Sequence, residues 1–275
     1  MTGLELRPLS LGEILDRTFF LYRRHFLVFI GISGIPQLIV LALNLTQLFA
    51  INALGAGAAS VGFNGILLLL VALANLFAYL FAQGGAILAV SDLYLGRPAS
   101  IGGALRKVAS ELGPLFGVVA LNGLAIGGAM ILLIVPGIYV ACRLLICVPA
   151  ALIEGRGPRE SLSRSWDLTR DNAGRAFVIL LLVIVITLAA ELLFALPFTI
   201  PLAASARNPG MFRFWTAIMQ VGNSVAAALV RPIVLIATSI YYYDLRVRKE
   251  AFDIQFMMNP ESQRAPNASG LPSII

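Results

Sequence analysis

Charged residues are scarce in this sequence. Only 12% of its 275 residues are Asp, Glu, Lys or Arg, whereas 59% are hydrophobic, and the mean hydropathy is +0.89. A soluble globular chain is about half apolar and a quarter charged, so the composition excludes an ordinary soluble domain. The apolar residues are gathered in runs of about twenty or more, the length that a helix needs to cross a hydrocarbon core of about 30 Å.

Chemically reactive side chains are also few. The only histidine is His25, and the only cysteines, Cys142 and Cys147, lie in one apolar run, where we expect them to pack as small buried residues. The sequence has no HExxH motif, no GxSxG motif and no paired Cys/His cluster. We therefore expect no catalytic residue, no metal site and no cofactor, and we expect that the chain is not an enzyme.

The long apolar runs predict the fold class. They lack the two-residue alternation of barrel strands, so they are helices, which satisfy their own backbone hydrogen bonds in lipid. The predicted fold is all-α: a polytopic membrane bundle of about six transmembrane helices, with amphipathic helices on its cytoplasmic side. Residues 1–250 form one domain, and residues 251–275 form a flexible cytoplasmic tail. The predicted spans are residues 26–50, 65–93, 114–135, 138–153, 176–203 and 214–243.

Two features of the sequence refine this division. Pro136-Gly137 is a turn signal inside otherwise continuous apolar sequence, so a re-entrant hairpin is the alternative to full crossing by the third and fourth spans. Residues 10–25 begin with a capping box at Ser10 and Glu13 and carry apolar side chains at helical spacing, which predicts an interfacial helix. Polar segments that begin at Ser100 and Glu160 also precede pairs of apolar runs, which suggests a threefold repeat.

The distribution of Lys and Arg predicts the orientation. Cytoplasmic loops of membrane proteins are rich in these residues, so we expect both termini on the cytoplasmic side of a bacterial inner membrane. The same distribution explains the net charge of +6 without nucleic acid as a partner. The basic segments are residues 1–25, 96–113, 154–175 and 244–264, whereas residues 51–63 and 136–137 contain no Lys or Arg.

The last apolar run ends in YYYDLRVRKE, residues 241–250. Aromatic side chains gather at the headgroup level of a membrane and cations collect just beyond it, so we interpret this stretch as a topology anchor, not an active site. The predicted anchor residues are Trp166, Tyr241, Tyr242, Tyr243, Asp244, Arg246, Arg248 and Lys249.

Four charged residues fall within the predicted spans or at their ends: Glu191, Arg231, Arg143 and Asp92. A charge in hydrocarbon costs a few kcal/mol and normally faces the bundle interior with a partner. We therefore predict an intramembrane charge network with a Glu191–Arg231 ion pair, for which Arg143 is the second-choice cation.

Polar stripes accompany these charges. Asn75, Tyr79 and Gln83 recur at four-residue steps in the second span, and Gln220, Ser224 and Thr238 share a helix face with Arg231. Interhelical hydrogen bonds that hold the bundle together are the favoured interpretation, and a polar cavity is the alternative.

Three stretches carry a resemblance to a known family. RPLSLGEILDRTFFLYRRHF, VPGIYVACRLLICVPAALIEGRGPRESLSRSWDLTR and SIYYYDLRVRKEAFD, which together span roughly residues 6–255, resemble the membrane domain of glycerophosphoryl diester phosphodiesterases. In fused members of that family the catalytic unit is a separate soluble barrel of about 250 residues, for which this sequence has no room. The resemblance therefore implies a membrane domain and no catalytic residue.

The sequence leaves two functions open. The first is a structural or accessory membrane protein whose Arg-rich interfacial helices bind membrane lipids, or a membrane or cytoplasmic partner protein. The alternative is a small-solute transporter or channel that uses the intramembrane charges. The sequence does not determine the oligomeric state.

Overall fold

The computed structural model describes residues 8–53 and 58–250, which form ten helices and, within those residues, no strand. The prediction of an all-α bundle is confirmed. The predicted tail, residues 251–275, lies outside the described residues. The helices are α1 (Leu11–Arg24), α2 (Phe26–Ala53), α3 (Ala58–Tyr94), α4 (Ile101–Ser110), α5 (Leu112–Leu132), α6 (Ile134–Arg143), α7 (Cys147–Glu154), α8 (Pro158–Leu168), α9 (Ala173–Ala204) and α10 (Pro209–Glu250).

Within the described residues, six segments are long and apolar enough to cross a membrane, so the chain is a multi-pass membrane protein. These segments agree with the six apolar runs of the sequence. They are Phe26–Phe49, Gly62–Tyr94, Leu112–Leu132, Ile134–Glu154, Ala173–Ala204 and Pro209–Glu250.

The short polar helices α1, α4 and α8 each precede a pair of apolar helices. α1 precedes α2 and α3, α4 precedes α5 and α6, and α8 precedes α9 and α10, an order that agrees with the predicted repeat. Their starts are set by local chemistry. The Ser10 and Glu13 side chains each bond the other's backbone N–H in a capping box, and the Ser100 hydroxyl accepts from the Gly103 N–H at 3.1 Å.

The long helix α10 lies at the centre of the bundle, where it packs against α1, α2, α3 and α9. Polar contacts fix its position. The Tyr22 hydroxyl donates to the Leu229 carbonyl at 2.8 Å, and the Ser33 hydroxyl donates to the Ala228 carbonyl at 2.8 Å. The Leu9 N–H donates to Asp244 at 2.7 Å, so the start of α1 and the end of α10 meet at one end of the bundle.

The fourth predicted span, residues 138–153, is not one continuous helix. Residues 144–146 interrupt it between α6 and α7. Both ends of the segment from Arg143 to Glu154 contact the same turn of α8. The Ser165 hydroxyl donates to the Arg143 carbonyl at 2.8 Å, and the Arg164 Nε donates to the Glu154 carboxylate at 2.9 Å. The segment therefore returns to its starting level and does not cross the bundle.

Because Arg143 at the end of α6 already contacts α8, α6 alone spans the distance between the α5–α6 turn and α8. Its ten residues cover about 15 Å, half of a hydrocarbon core of about 30 Å. α5 starts beside the other end of α8, where Gly117 lies against Pro158. α5, α6 and α8 thus enclose a triangle with the turn at Leu133 as its apex, and the length of α6 limits the distance of this turn from α8 to about 15 Å. Of the two alternatives, this geometry corresponds to the re-entrant hairpin.

Candidate functional site

The three tyrosines of the YYYDLRVRKE stretch are buried inside the protein, so the expectation that they face the lipid headgroups is wrong. Their exposed fractions are 0% for Tyr241, 0% for Tyr242 and 1% for Tyr243. Their hydroxyls donate to the Asn172 carbonyl at 3.2 Å, to Glu154 at 2.8 Å and to Ser91 at 2.8 Å, respectively. The Tyr243 ring also stacks on Tyr94, with the ring centroids 4.7 Å apart. The tyrosines therefore join α10 to its neighbours and seal this end of the bundle.

Asp244, the next residue, is a buried carboxylate with several donors. Besides the Leu9 N–H, it accepts hydrogen bonds from Arg175 at 3.1 Å and from Arg248 at 2.9 Å. Both arginines also donate to the Leu9 carbonyl, at 2.7 Å and 2.6 Å. Hydrogen bonds to charged groups are stronger than neutral ones, so this network ties together α1, α9 and α10.

A second network surrounds Glu154 at the same end. Its carboxylate accepts from Arg164 at 2.9 Å as well as from Tyr242, and Arg164 also pairs with Glu250. Burial acts to lower the pKa of Arg164, but the hydrogen bonds and charges of Glu154 and Glu250 outweigh it and raise this pKa. Glu154 is therefore a central acceptor that the sequence interpretation missed, because its position at the end of an apolar run gave no sign of a partner.

The other predicted anchor residues lie at this end too. Arg246 pairs with Glu250 at 3.1 Å, and Lys249 pairs with Asp171 at 3.1 Å. Asp92, one of the four predicted network charges, pairs with Lys107 at 3.1 Å. It lies with these pairs and not with Glu191 or Arg231. We call this end of the bundle, with Asp92, Glu154, Arg164, Arg175, Asp244, Arg246, Arg248 and Lys249, the charged layer.

The lone histidine, His25, follows the end of α1 that lies away from Asp244, where Tyr22 contacts Leu229. Burial, and then the charge of neighbouring Arg24, lowers the pKa of His25 below its ordinary value. Within residues 8–53 and 58–250 no group of three or more His, Cys, Asp or Glu side chains could hold a metal ion.

Arg143 also lies away from Glu191, at the end of α6 against α8. Its side chain is 2% exposed, and its guanidinium carbon lies 4.6 Å from the Trp166 ring centroid and 5.9 Å from that of Tyr139. Aromatic faces attract such a cation. Trp166, a predicted interfacial anchor, is 38% exposed and forms the outer cover of this arginine.

A polar cavity of about 670 Å³ lies within the membrane-spanning part of the bundle. α10 supplies its longest wall. The polar residues of that wall are Gln220, Asn223, Ser224, Arg231 and Thr238, which recur on one face of the helix. The stretch from Gln220 to Thr238 covers about 27 Å of helix axis, close to the hydrocarbon thickness of a bilayer.

The other walls come from α2, α3 and α9. α3 contributes the predicted stripe of Asn75, Tyr79 and Gln83, and α9 contributes Thr187 and Glu191. α2 contributes Gln37 and Asn44, which share a helix face at a spacing of seven residues and which the sequence interpretation missed. The structure therefore brings both predicted stripes and two of the four predicted charges, Glu191 and Arg231, into one cavity.

Arg231 and Glu191 nevertheless do not touch. Among the described residues no ion pair within 4.0 Å joins them, so the predicted direct pair is absent. Arg231 Nη1 donates instead to the Gln37 Oε1 at 3.4 Å, and the Gln37 amide nitrogen lies 3.5 Å from the Ser224 hydroxyl. In the described part of the chain, neither charge has an oppositely charged partner.

The cavity has a closed end and an open side. Leu145 and Pro149 line the end that faces the charged layer, where the tyrosines fill the space behind them. Tyr79 on α3 and Glu191 on α9 are both exposed, and α9 packs against α10 and α6. The cavity therefore opens between α3 and α9, beyond the reach of the short helix α6. We call this cavity, with its opening, the polar groove.

The fold and the groove define an all-α multi-pass membrane protein with a ligand-sized polar site between its helices. Residues 73–245 match a family described as a domain of unknown function, DUF7847, and the chain belongs to this family. The match includes most of α3, the charged layer from Asp92 to Asp244, and the groove residues of α9 and α10. No curated protein and no solved structure matches the chain.

Proposed function

We propose that this protein binds a polar ligand in the groove and carries it within the membrane, as a non-catalytic transporter. The observation that supports the proposal most directly is the presence of two charges, Arg231 and Glu191, that line one cavity without an oppositely charged partner among the described residues. A charge in the bilayer is costly unless it faces a partner or water, and such residues mark substrate paths.

The size and hydrogen-bonding capacity of the groove fit this role. Its volume of about 670 Å³ lies in the range of sites for small organic molecules, about 300–1,000 Å³. The Gln83 and Gln220 amide oxygens are buried and have no hydrogen-bond partner in the described chain. Buried polar groups are normally satisfied, so a bound ligand or water offsets the cost of leaving these oxygens unpaired.

In this proposal the protein lies in a bacterial cytoplasmic membrane with the charged layer on the cytoplasmic side. The meeting of α1 with the end of α10 supports the same side for both ends of the described bundle, and the excess of Lys and Arg supports the cytoplasm. The groove then opens toward the outer leaflet. The resemblance to the membrane domain of glycerophosphoryl diester phosphodiesterases supports a membrane-embedded, non-catalytic unit.

An accessory role at the cytoplasmic surface is the second candidate. Several cations near that end project outward: Arg106, Lys107 and Arg159 are exposed. A juxtamembrane cation near anionic lipid contributes about 1 kcal/mol of attraction, so these residues favour an anionic lipid surface or an acidic partner protein. This role is compatible with ligand binding in the groove and does not require it.

Thiol accessibility distinguishes a water-filled groove from polar residues that only form interhelical hydrogen bonds. Cysteines at Asn223 and Glu191 in reconstituted vesicles should react with a membrane-impermeant, hydrophilic thiol reagent added outside. A cysteine at Ser33, which is buried between α2 and α10, should stay unlabelled. The native protein, with both cysteines buried, gives the background. Protection of all three positions would show that the polar residues only hold the helices together.

Ligand binding itself is tested by thermal unfolding in detergent with glycerophosphoethanolamine, glycine betaine, inorganic phosphate and sodium, and with phospholipids. A bound ligand stabilises the folded state by about 2.7 kcal/mol at a concentration of one hundred Kd. At least one compound should raise the midpoint for the native protein and not for Arg231→Gln. The proposal would be overturned if every compound and lipid shifted the unfolding midpoints of the native protein and of Arg231→Gln by the same amount.

A further inference from the structure

The lateral opening of the groove gives information on the kind of ligand, if the groove is a ligand site as proposed above. α6 extends only about 15 Å from the charged layer, so the α5–α6 hairpin cannot separate α3 from α9 at greater depth. Glu191 lies about 24 Å along α9 from Arg175 of the charged layer. The mouth of the groove therefore faces the hydrocarbon of the opposite leaflet and is accessible to molecules dissolved in the bilayer.

The surface beside this mouth is apolar. The turn of α9 around Glu191 exposes Leu188 and Leu192, at 52% and 53%, and the turn of α3 before Tyr79 exposes Phe77, at 47%. A ligand can contact both surfaces if its polar part lies among the amides of the groove and its acyl chains pack against these apolar side chains. A fully polar solute contacts only the interior of the groove.

The two charges specify the polar part. Arg231, whose one hydrogen-bond partner in the described chain is the Gln37 amide oxygen, presents the donor geometry that matches a phosphate. Glu191, on the neighbouring wall that α9 forms near the mouth, presents a carboxylate that complements an ammonium group. We propose that the groove takes the headgroup of a zwitterionic phospholipid, with its phosphate at Arg231 and its ammonium at Glu191, while its acyl chains remain in the bilayer between α3 and α9.

Lipid retention by the purified protein tests this assignment. The protein is incubated in mild detergent with equal amounts of phosphatidylethanolamine and phosphatidylglycerol, separated by gel filtration, and the bound lipids are quantified. The native protein should retain phosphatidylethanolamine in preference. Arg231→Gln should lose about tenfold to a hundredfold in affinity for both lipids, as expected for a charge-assisted hydrogen bond. Glu191→Gln should lose only the preference for phosphatidylethanolamine.

Arg213→Gln is the matched control, because Arg213 lies on the first turn of α10 outside the groove and donates to the Pro209 carbonyl. It should retain both lipids like the native protein. A thermal unfolding curve accompanies each variant. If Arg231→Gln does not fold, displacement of fluorescent phosphatidylethanolamine from the native protein replaces it. Unlabelled phosphatidylethanolamine should then displace the probe at least tenfold better than phosphatidylglycerol does.

Soluble glycerophosphoethanolamine separates this inference from the transporter proposal. If it displaces the bound lipid as effectively as phosphatidylethanolamine does, or if another solute binds while no lipid does, the ligand is a free solute. The lipid assignment is then wrong and the groove remains a ligand site. If the native protein binds neither lipid nor solute, both proposals fail. If the native protein retains the two lipids equally, and Glu191→Gln does so too, the assignment of a zwitterionic headgroup is wrong, but the groove remains a lipid site.

Discussion

At the level of single residues, a buried charge in this protein does not imply an acidic partner nearby. Arg143 is almost completely buried, yet its side chain stacks on Trp166 and Tyr139. Arg231 has a glutamine amide as its partner. Sequence position showed that both residues lie in apolar runs, but it could not show that a break after Arg143 brings that residue against α8. The charge at Arg231 remains available to a ligand, whereas the charge at Arg143 is used within the protein.

Asp244 is the residue for which we predict the largest effect on stability. Its side chain is 0% exposed, and it holds Arg175, Arg248 and the Leu9 N–H. Asp244→Asn keeps the shape but leaves two arginines without their counter-ion, so we expect a loss of about 2–4 kcal/mol. The measurement is the thermal unfolding midpoint in detergent.

Asp171→Asn is the control for Asp244→Asn. Asp171 also pairs with a cation of α10, Lys249, but its side chain is 77% exposed. An exposed ion pair contributes about 0–1 kcal/mol, so this variant should unfold close to the native midpoint. Similar midpoints for the two variants would show that the Asp244 network does not hold α1, α9 and α10 together.

At the level of helices, the sequence predicts where the apolar helices lie and how long they are better than it predicts the path of the chain through the bundle. The apolar runs predicted the six segments, and the capping box at Ser10 predicted the start of α1. The polar segment that begins at Ser100 coincides with the start of α4. Pro136-Gly137 left a re-entrant hairpin open as an alternative, but the apolar run around Cys142 and Cys147 gave no sign of the break at residues 144–146. Only the contacts of Arg143 and Glu154 with α8 reveal the re-entrant path.

A close approach of α2 and α3 makes Gly85 sensitive to substitution. A Cβ atom at Gly85 would lie 2.6 Å from the Ile32 Cγ2 atom. Gly85→Val therefore overpacks this interface, and we expect a loss of about 1–3 kcal/mol in thermal unfolding. Gly65→Val, in the same helix with nothing within 4 Å of the added Cβ, is the matched control. A greater loss at Gly65 would contradict the described packing of α2 on α3.

The re-entrant hairpin gives a prediction at its tip. Leu133 is 67% exposed and is surrounded by other exposed apolar residues, so a re-entrant hairpin would place it in the hydrocarbon. A cysteine at this position should react with an impermeant thiol reagent from neither side of a vesicle. A cysteine at Arg207, in the exposed turn between α9 and α10, should react from the outside. Labelling of Leu133→Cys at the rate of Arg207→Cys would show that α5 and α6–α7 cross fully.

At the level of the whole molecule, the two ends of the bundle differ in chemistry. One end is closed by buried tyrosines and ion pairs, and the other leads into a polar groove. The stripes on the second and sixth spans predicted which side chains share a helix face. They could not predict that α3 and α9 stay apart. This separation arises because both helices flank α10 and because α6 is too short to fill the space between them. The structure was therefore needed to decide whether the polar residues only form interhelical hydrogen bonds or also line a cavity.

The orientation of this asymmetric bundle is the last prediction. The five cations of the charged layer lie in the basic segments 154–175 and 244–264, and cytoplasmic segments carry Lys and Arg in excess, so this layer should face the cytoplasm. Reporter fusions after residue 108, in α4, and after residue 165, in α8, should give a cytoplasmic signal. A fusion after residue 208 should give an outside signal.

These signals also follow from the helix path. A re-entrant hairpin returns the chain to its starting side, so residues 108 and 165 share a side whether α5 and α6 cross half or all of the membrane. α9 is a single continuous helix of 32 residues, about 48 Å long, so residue 208 must lie on the other side. Fusions at residues 57 and 255, which lie outside the described residues, should report the outside and the cytoplasm. An outside signal at residue 165 would reverse the bundle, and the groove would then open toward the cytoplasmic leaflet.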